Sequence, residues 1–509
     1  MGTRPTFLGF EASKSALYAA QKSLDITGHN LANMSVEGYT RQRVDQVAVN
    51  YSNFTTRMKQ GVRIGLSGSG THVLGIGQVR DETLDTAFRT QYAEVGGYSQ
   101  EETMLTDIES ILQEFDVGTS GNGFGLRNAI QNMYNAIQDF SMDSSSVTYA
   151  SVVTSSFEAV ALSLRDTSNL LNEKCEQYKD ILQTDVLQVN TLFEEIAMLN
   201  KEIGDAMATH GYTEEYGPNE LLDKRNLLLD ELSSYGKISV VYDSDGMVNV
   251  SMNGVECVNK TESDSINYYN NSDGTVSLLW RSLGTEADFG PGILQTSRDV
   301  INGNGENASG DFETAQRGFR YYAGKLDSVA QMIAEVCNST IPDSVDANGN
   351  ILTYRKFFGA QIRNADGSYN VYPDVMITAE NIAISDTFKD NPNFLIYEEG
   401  NSDNRYALQL VAKLSSEKLD FGTFQGTIED YISDYVTTLG NEISYASTKY
   451  EACLNIANSV LTERDEVSGV SETEETTNML IYNRAFQAAA KMINMMDSLL
   501  DVVINRMGV

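Results

Sequence analysis

Between Met479 and Met507, apolar or small residues stand at Met479, Tyr482, Phe486, Ala489, Ile493, Met496, Leu500, Val503 and Met507. The steps alternate three and four without a miss. That period keeps one stripe of a helix against a partner helix along its whole length. A helix docked on a globular core carries a broader, less regular face. The stretch therefore reads as a helix built to pair, with Met and Ala giving a close but adaptable seam. The other end of the chain has a matching pattern. From Phe7 to Met34, Phe10, Leu17, Leu24 and Leu31 recur every seventh position, and Ala12, Ala16, Ala19 and Ala20 between them permit close approach. The two ends are expected to pack on each other or on copies of each other. The expected assembly interface is Phe10, Leu17, Leu24 and Leu31 with Met479, Tyr482, Phe486, Ala489, Ile493, Met496, Leu500 and Val503.

The intervening chain changes period several times. Gly38 ends the first helical pattern, and residues 41–80 alternate loosely between glycines, as an extended connector with short strands would. Helical spacing then runs from Glu82 to about Tyr235, with a turn at Gly118–Gly125 and a long helix from Thr148 to Ala206. Pro218-Asn219 is expected to cap a helix through Leu232. At Lys237 the period becomes two, and Asp245-Gly246, Asn253-Gly254 and Asp273-Gly274 punctuate alternating residues, which is a hairpin signal. A Gly/Asn linker, 302–310, precedes a helix from Thr314 to Asn338. A second β-rich stretch has turns at Asn348-Gly349 and Asp366-Gly367, and helices cover Thr427 to Leu461 and Glu472 to Met507.

The fold class is thus α+β and multidomain: an elongated α-helical stalk, made of terminal coiled-coil helices and a helical rod domain, with two inserted β-rich domains. The expected divisions are the N-terminal helix, 1–40; the connector and first part of the rod, 41–236; a β-rich insertion, 237–300; a return helix, 301–339; a second β-rich insertion, 340–424; the last part of the rod, 425–470; and the C-terminal helix, 471–509.

A net charge of −35 repels nucleic acid and anionic membrane. The acid lies in the middle, because residues 1–90 carry ten Lys and Arg against seven Asp and Glu. No cleavable secretory signal is legible at the start, and no apolar run approaches a membrane span. Cys175, Cys257, Cys337 and Cys453 stand far apart, as buried small hydrophobes would rather than zinc or redox pairs. With three histidines there is little room for a His-based triad. His29, between Leu24 and Leu31, reads as a packing or register residue. Asp346–Asn350 opens like a calcium loop but has Ile351 and Phe357 where glycine and glutamate are needed. Asp243–Gly246 reads as a turn. Glu194-Glu195 and Glu214-Glu215 are neighbours that do not face one another on a helix. No cofactor, metal or catalytic constellation is expected.

More specific are Asn30-Leu31-Ala32-Asn33 and Gly38-Tyr39-Thr40-Arg41-Gln42. So are Asn219-Glu220-Leu221-Leu222-Asp223-Lys224-Arg225, Ser468-Gly469-Val470-Ser471, and Tyr482-Asn483-Arg484-Ala485-Phe486-Gln487. Together they resemble the signatures of flagellar rod, hook and hook-associated axial proteins, with Val36-Glu37 where that family usually has Thr-Pro. The resemblance covers about 1–236 and 425–509; the β insertions match nothing. It implies a structural, non-enzymatic role as a ring of copies between hook and filament, with hook protein on one side and the next hook-associated protein on the other. It also implies passage through the flagellar type III export machinery, a cytoplasmic chaperone on the C-terminal helix, and a final place outside the cell. Each terminal helix is expected to lack a partner in the free chain and to gain order on assembly. The alternatives are a hook protein or minor flagellin, or a secreted adhesin or enzyme with its activity in the β insertions.

Overall fold

The computed structural model describes residues 6–49, 70–114, 125–210, 212–213, 216–306, 315–346, 350–364, 366–391, 394–396, 404–416, 418–420 and 424–502. Helix α1 (Thr6–Asn33) leads into an antiparallel hairpin, β1 (Gln42–Ala48) and β2 (Thr71–Gln78). Four helices follow: α2 (Glu82–Glu114), α3 (Leu126–Met142), α4 (Val147–His210) and α5 (Asn219–Tyr235). The predicted turn at 118–125 lies almost wholly outside the described residues. At a rise of 1.5 Å per residue, the 64 residues of α4 extend about 96 Å. A helix of that length makes the body a rod.

The apolar stripe of α4 explains its course. Val153, Phe157, Val160, Leu164, Tyr178, Leu182, Val186, Val189, Phe193 and Ile196 are all buried. Contrary to the expectation from its apolar runs, an 18-residue window of α4 has a mean hydropathy of 1.3, enough to cross a membrane by length and composition. Its buried face nevertheless belongs to the protein core. The N-terminal half packs on α3, and Phe157 sits among Phe357, Phe358 and Phe388. In the C-terminal half Phe193 stacks near Trp280.

The alternating run after Lys237 forms a four-stranded antiparallel sheet in the order β3 (Ile238–Tyr242), β4 (Val248–Met252), β5 (Val255–Asn259), β6 (Glu262–Ser263). A hairpin, β7 (Ile266–Asn270) and β8 (Val276–Trp280), follows. Gly246, Gly254 and Gly274 have φ of +79°, +87° and +82°, which is why glycine ends each turn. The stretch taken as an insertion to residue 300 is not all β. Residues Ile293–Asn302 form α6, because Leu294, Ser297 and Ile301 recur at helical steps and are buried. Helix α7 (Phe319–Asn338) buries Phe319, Tyr322, Leu326, Val329, Ile333 and Val336. It begins after Gly318, whose Cα packs against the Val300 carbonyl with no room for a side chain.

The second β-rich stretch is also mixed. It holds a hairpin, β9 (Pro342–Val345) with β10 (Ile351–Tyr354), and a three-stranded sheet of β11 (Phe358–Arg363), β12 (Tyr369–Tyr372) and β13 (Ile382–Ile384) in the order β12-β11-β13. It then becomes helical as α8 (Asp386–Asp390) and α9 (Arg405–Ser415), where Ala407, Leu410 and Leu414 face inward. Short polar segments between Asp386 and Gly426 hide that spacing from a strand-biased reading. The Asn348-Gly349 turn lies outside the described residues. A last short pair, β14 (Leu419–Asp420) and β15 (Gln425–Gly426), precedes α10.

Helix α10 (Ile428–Ser468) opens on a capping box: the Thr427 hydroxyl accepts from Asp430 N, and the Asp430 carboxylate accepts from Thr427 N. It runs seven residues past the expected end at Leu461 and packs antiparallel to α2. Val95 meets Cys453 and Ala457 in a shared cluster, and Arg464 lies over the Phe88 ring at 4.6 Å. On another face of α2, Gly96 and Gly97 let α5 and the backbone before α6 close in. A Cβ on Gly96 would collide with the Ser234 carbonyl. The last helix among the described residues is α11 (Glu472–Asp501), capped by the Ser471 hydroxyl.

Candidate functional site

Helices α1 and α11 pack on each other along their length. They are antiparallel: a Cβ on Gly9 would collide with Met496, while Asn30, near the other end of α1, bonds Glu475, near the start of α11. This corrects the expectation that each terminal helix lacks a partner in the single chain. On α11 the heptad stripe faces α1. Ala489 is buried, and Met479, Tyr482, Phe486, Ile493, Met496 and Leu500 are half-buried. Val503 and Met507 lie outside the described residues.

On α1 the expectation needs correction. Phe10, Leu17, Leu24 and Leu31 are only half-buried. The buried positions are Ser13, Ala19, Ala20, Ser23, Thr27 and Asn30. With half-buried Ala16, the residues Ser13, Ala16, Ala20, Ser23, Thr27 and Asn30 step three and four. The physical reason is crowding from two sides, by α11 and by the β1–β2 hairpin. Small side chains fit there, and their hydroxyls are satisfied locally. Ser13 donates to the Gly9 carbonyl at 2.9 Å, and Ser23 accepts from Gln46 at 3.0 Å.

The seam of α11 leaves a second stripe uncovered. Each seam residue from Tyr482 to Val503 is preceded by another apolar or small one, at Ile481, Ala485, Ala488, Met492, Met495, Leu499 and Val502. These also step four and three, about 100° around the helix from the first stripe. All seven are exposed, Ile481 at 54%, Met495 at 58% and Leu499 at 56%. The signal for this stripe is present in the sequence, but it lies one residue out of phase with the first seam and shares its spacing, so the two merge into one pattern. A long exposed apolar stripe on a soluble helix marks a contact surface.

At the base of the helix pair lies a polar hub. Its members are scattered in sequence, and they coincide with the stretches singled out above. Asn30, 1% exposed, is saturated: its Oδ1 accepts from Tyr39 at 2.7 Å and Gln42 N at 3.0 Å. Its Nδ2 donates to the Gln42 carbonyl at 2.9 Å and to Glu475 at 3.3 Å. Arg41 bridges to Glu475 at 2.9 Å and Glu474 at 3.1 Å, while its backbone N–H reaches the Ser468 carbonyl. Asp223 on α5 accepts from Thr40 N at 3.3 Å and Gln78 at 2.8 Å. Arg80 ties Thr40 to Asp85, and Arg464 reaches Asp230, which also holds Arg89 at 2.7 Å. Asn219 does not cap α5 with its side chain; it donates to the Ile76 carbonyl instead.

The hub joins α1, the hairpin, α2, α5, α10 and α11 through charge-assisted bonds, which are stiff and directional. His29 is one of its packing residues, 2.9 Å from the Tyr39 hydroxyl. Burial, and then Asp223, Glu475 and Glu220, push the Tyr39 phenol far above its usual value, so it stays a donor. Burial raises Asp223 as well, opposed by Thr40, Arg80 and Gln78.

Nothing comparable gathers around the other candidates. Glu194 and Glu195 are both exposed on α4, and Glu214-Glu215 lie outside the described residues. Cys257, Cys337 and Cys453 are buried, and burial pushes the Cys175 thiol up to about 11. Among the described residues no three His, Cys, Asp or Glu side chains are grouped to hold a metal.

Known proteins agree on what such an arrangement belongs to. Residues 107–358 match the flagellar hook-associated protein FlgK helical domain, 462–507 the flagellar basal body rod FlgEFG protein C-terminal family, and 10–40 the flagella basal body rod protein family. The chain is an axial protein of the bacterial flagellum, a structural component. Within that class it resembles flagellar hook-associated protein 1. It is 29% identical to that protein of Bacillus subtilis over 99% of both chains, and 21% identical to that of Salmonella typhimurium over 96% of this chain and 98% of the other. The structure of the flagellar hook junction protein FlgK from Burkholderia pseudomallei shares the fold, at a TM-score of 0.56 and 13% identity, over 76% of this chain and all of that one.

Proposed function

We propose that this chain assembles as a ring of copies that joins hook to filament and buffers their different mechanical states. Hook protein lies on one side and the next hook-associated protein on the other. The role is structural rather than catalytic. The observation that carries this reading is the second stripe of α11: one stripe is closed by α1, and the other is free to pack on the neighbouring copy. The seven small or apolar positions from Ile481 to Val502 provide a coiled-coil surface without needing any change in the first pair. The hub then transmits the position of the terminal pair to the rod, because Arg41, Asp223 and Arg464 bind across its elements.

The same stripe suits a cytoplasmic export chaperone, which would keep α11 from premature association before passage through the type III channel to the cell exterior. Immunogold labelling of isolated flagella tests the reading. The expected result is a narrow band at the hook–filament boundary. Label spread along the filament contradicts it.

A further inference from the structure

Among the described residues two arginines are all but fully buried, Arg89 at 3% exposure and Arg225 at 2%. Arg89 has a carboxylate, Asp230, at 2.7 Å. Arg225 has none. Its Nη1 donates to the Asn200 side chain at 3.1 Å and the Gly246 carbonyl at 2.7 Å, both neutral. Its Nε is buried with no hydrogen-bond partner. The Tyr242 ring lies 5.9 Å from the guanidinium, and burial pulls Arg225 down to about 10, with Arg89 and Arg80 adding to that shift. An unpaired buried cation costs several kcal/mol unless something neutralises it.

Arg225 lines a cavity of about 340 Å³ bounded also by Arg80, Thr213, Asn226 and Tyr242. The two carboxylates on its wall do not serve Arg225: Asp243 is held by Lys260 at 3.0 Å, and Glu82 is exposed at the rim. Arg80 on the same wall is paired with Asp85, so Arg225 is the cation there that lacks a carboxylate of its own among the described residues.

The geometry points to an anion site: we propose that this cavity binds one small oxyanion, of the carboxylate or phosphate class, on the Arg225 guanidinium. The Nη2 donors of Arg225, free of the bonds that Nη1 makes to Asn200 and Gly246, would meet an oxygen of such a ligand with charge assistance. Bound there, the anion would link α5, which carries Asp223 of the hub, to the turn between β3 and β4. The site would thereby couple the first β-rich region to the terminal pair.

Thermal unfolding of the full chain, at constant ionic strength, tests this with inorganic phosphate and malonate against chloride. The expected result is a saturable rise in Tm with phosphate or malonate that chloride does not give. A response to phosphate alone assigns a tetrahedral anion, and one to malonate alone a carboxylate. Arg225→Lys should weaken binding by about tenfold, since the ammonium cannot both replace the Nη1 bonds to Asn200 and Gly246 and supply the Nη2 donors. Glu82→Gln, an exposed change, should tighten it by removing a like charge at the rim. Equal responses in all three salts, or a Tm rise untouched by both substitutions, overturns the proposal. If Arg225→Lys fails to fold, phosphorus NMR line broadening on wild type and Glu82→Gln decides the same question.

Discussion

Aspartate at both Met492 and Met495 is expected to abolish filament attachment while leaving the chain folded and its α1–α11 pair closed. Both side chains are exposed in the single chain, so the substitutions break no contact within it. In a ring, the second stripe would be covered by a neighbour, and each buried carboxylate without a partner would cost about 3 kcal/mol or more. Two such costs weaken each contact by about four orders of magnitude. The measurement is the fraction of hooks bearing filaments, with filament subunits counted in the medium. Phe486→Asp and Ile493→Asp are expected to be equally defective for a different reason: those residues lie in the seam against α1, so they open the pair itself. Hydrogen exchange over residues 6–33 separates the two cases. It should be unchanged in the first pair of variants and faster in the second. Normal filament attachment with Met492→Asp and Met495→Asp combined contradicts the second-stripe assignment.

Asn30→Ala is expected to destabilise the hub by about 4 kcal/mol, because four hydrogen bonds are lost and the buried Gln42 backbone N–H is left without its acceptor. The cost falls on the elements that the hub ties down rather than on the rod core, whose Phe157 and Phe193 clusters lie elsewhere. Exchange protection should therefore drop in α1, β1 and the first turns of α11, while α4 is unaffected. Asn30→Asp keeps the acceptor, loses the donor and places a carboxylate beside Glu475, so it should be no better tolerated. A loss below about 1 kcal/mol for Asn30→Ala would show that the Asn30 bonds are readily replaced by water.

The alternation of three and four steps from Met479 to Leu500 located the inward face of α11, because a period is a geometric statement that survives folding. The sevenfold repeat of Phe10, Leu17, Leu24 and Leu31 misled, since close approach from two sides selects small residues and displaces large ones to the flank. The hub was visible only as family likeness. Asn30 and Arg41 lie far in sequence from Asp223, and Asp223 lies as far from Glu475, and polar pairing over such separations leaves no local pattern. The Asp-Gly and Asn-Gly turns placed the first β region well, because a positive φ demands glycine. Helices α6 and α9 went unseen, being short and set among turn-rich segments where periodicity has little length to express itself.

The account rests on α11 holding one stripe against α1 and leaving the other for a neighbouring copy. On α11, Glu475 and Ala489 are buried, so the pair has little apolar area to protect it in isolation. Hydrogen exchange of residues 472–502, read in dilute monomer and in isolated hook–filament preparations, tests this most directly. The predicted result is measurable but weaker protection in the monomer than in α2 and α10, and strong protection after assembly, the largest change at Met492 to Val502. Protection in the monomer equal to that of α2 and α10, unchanged by assembly, would contradict it.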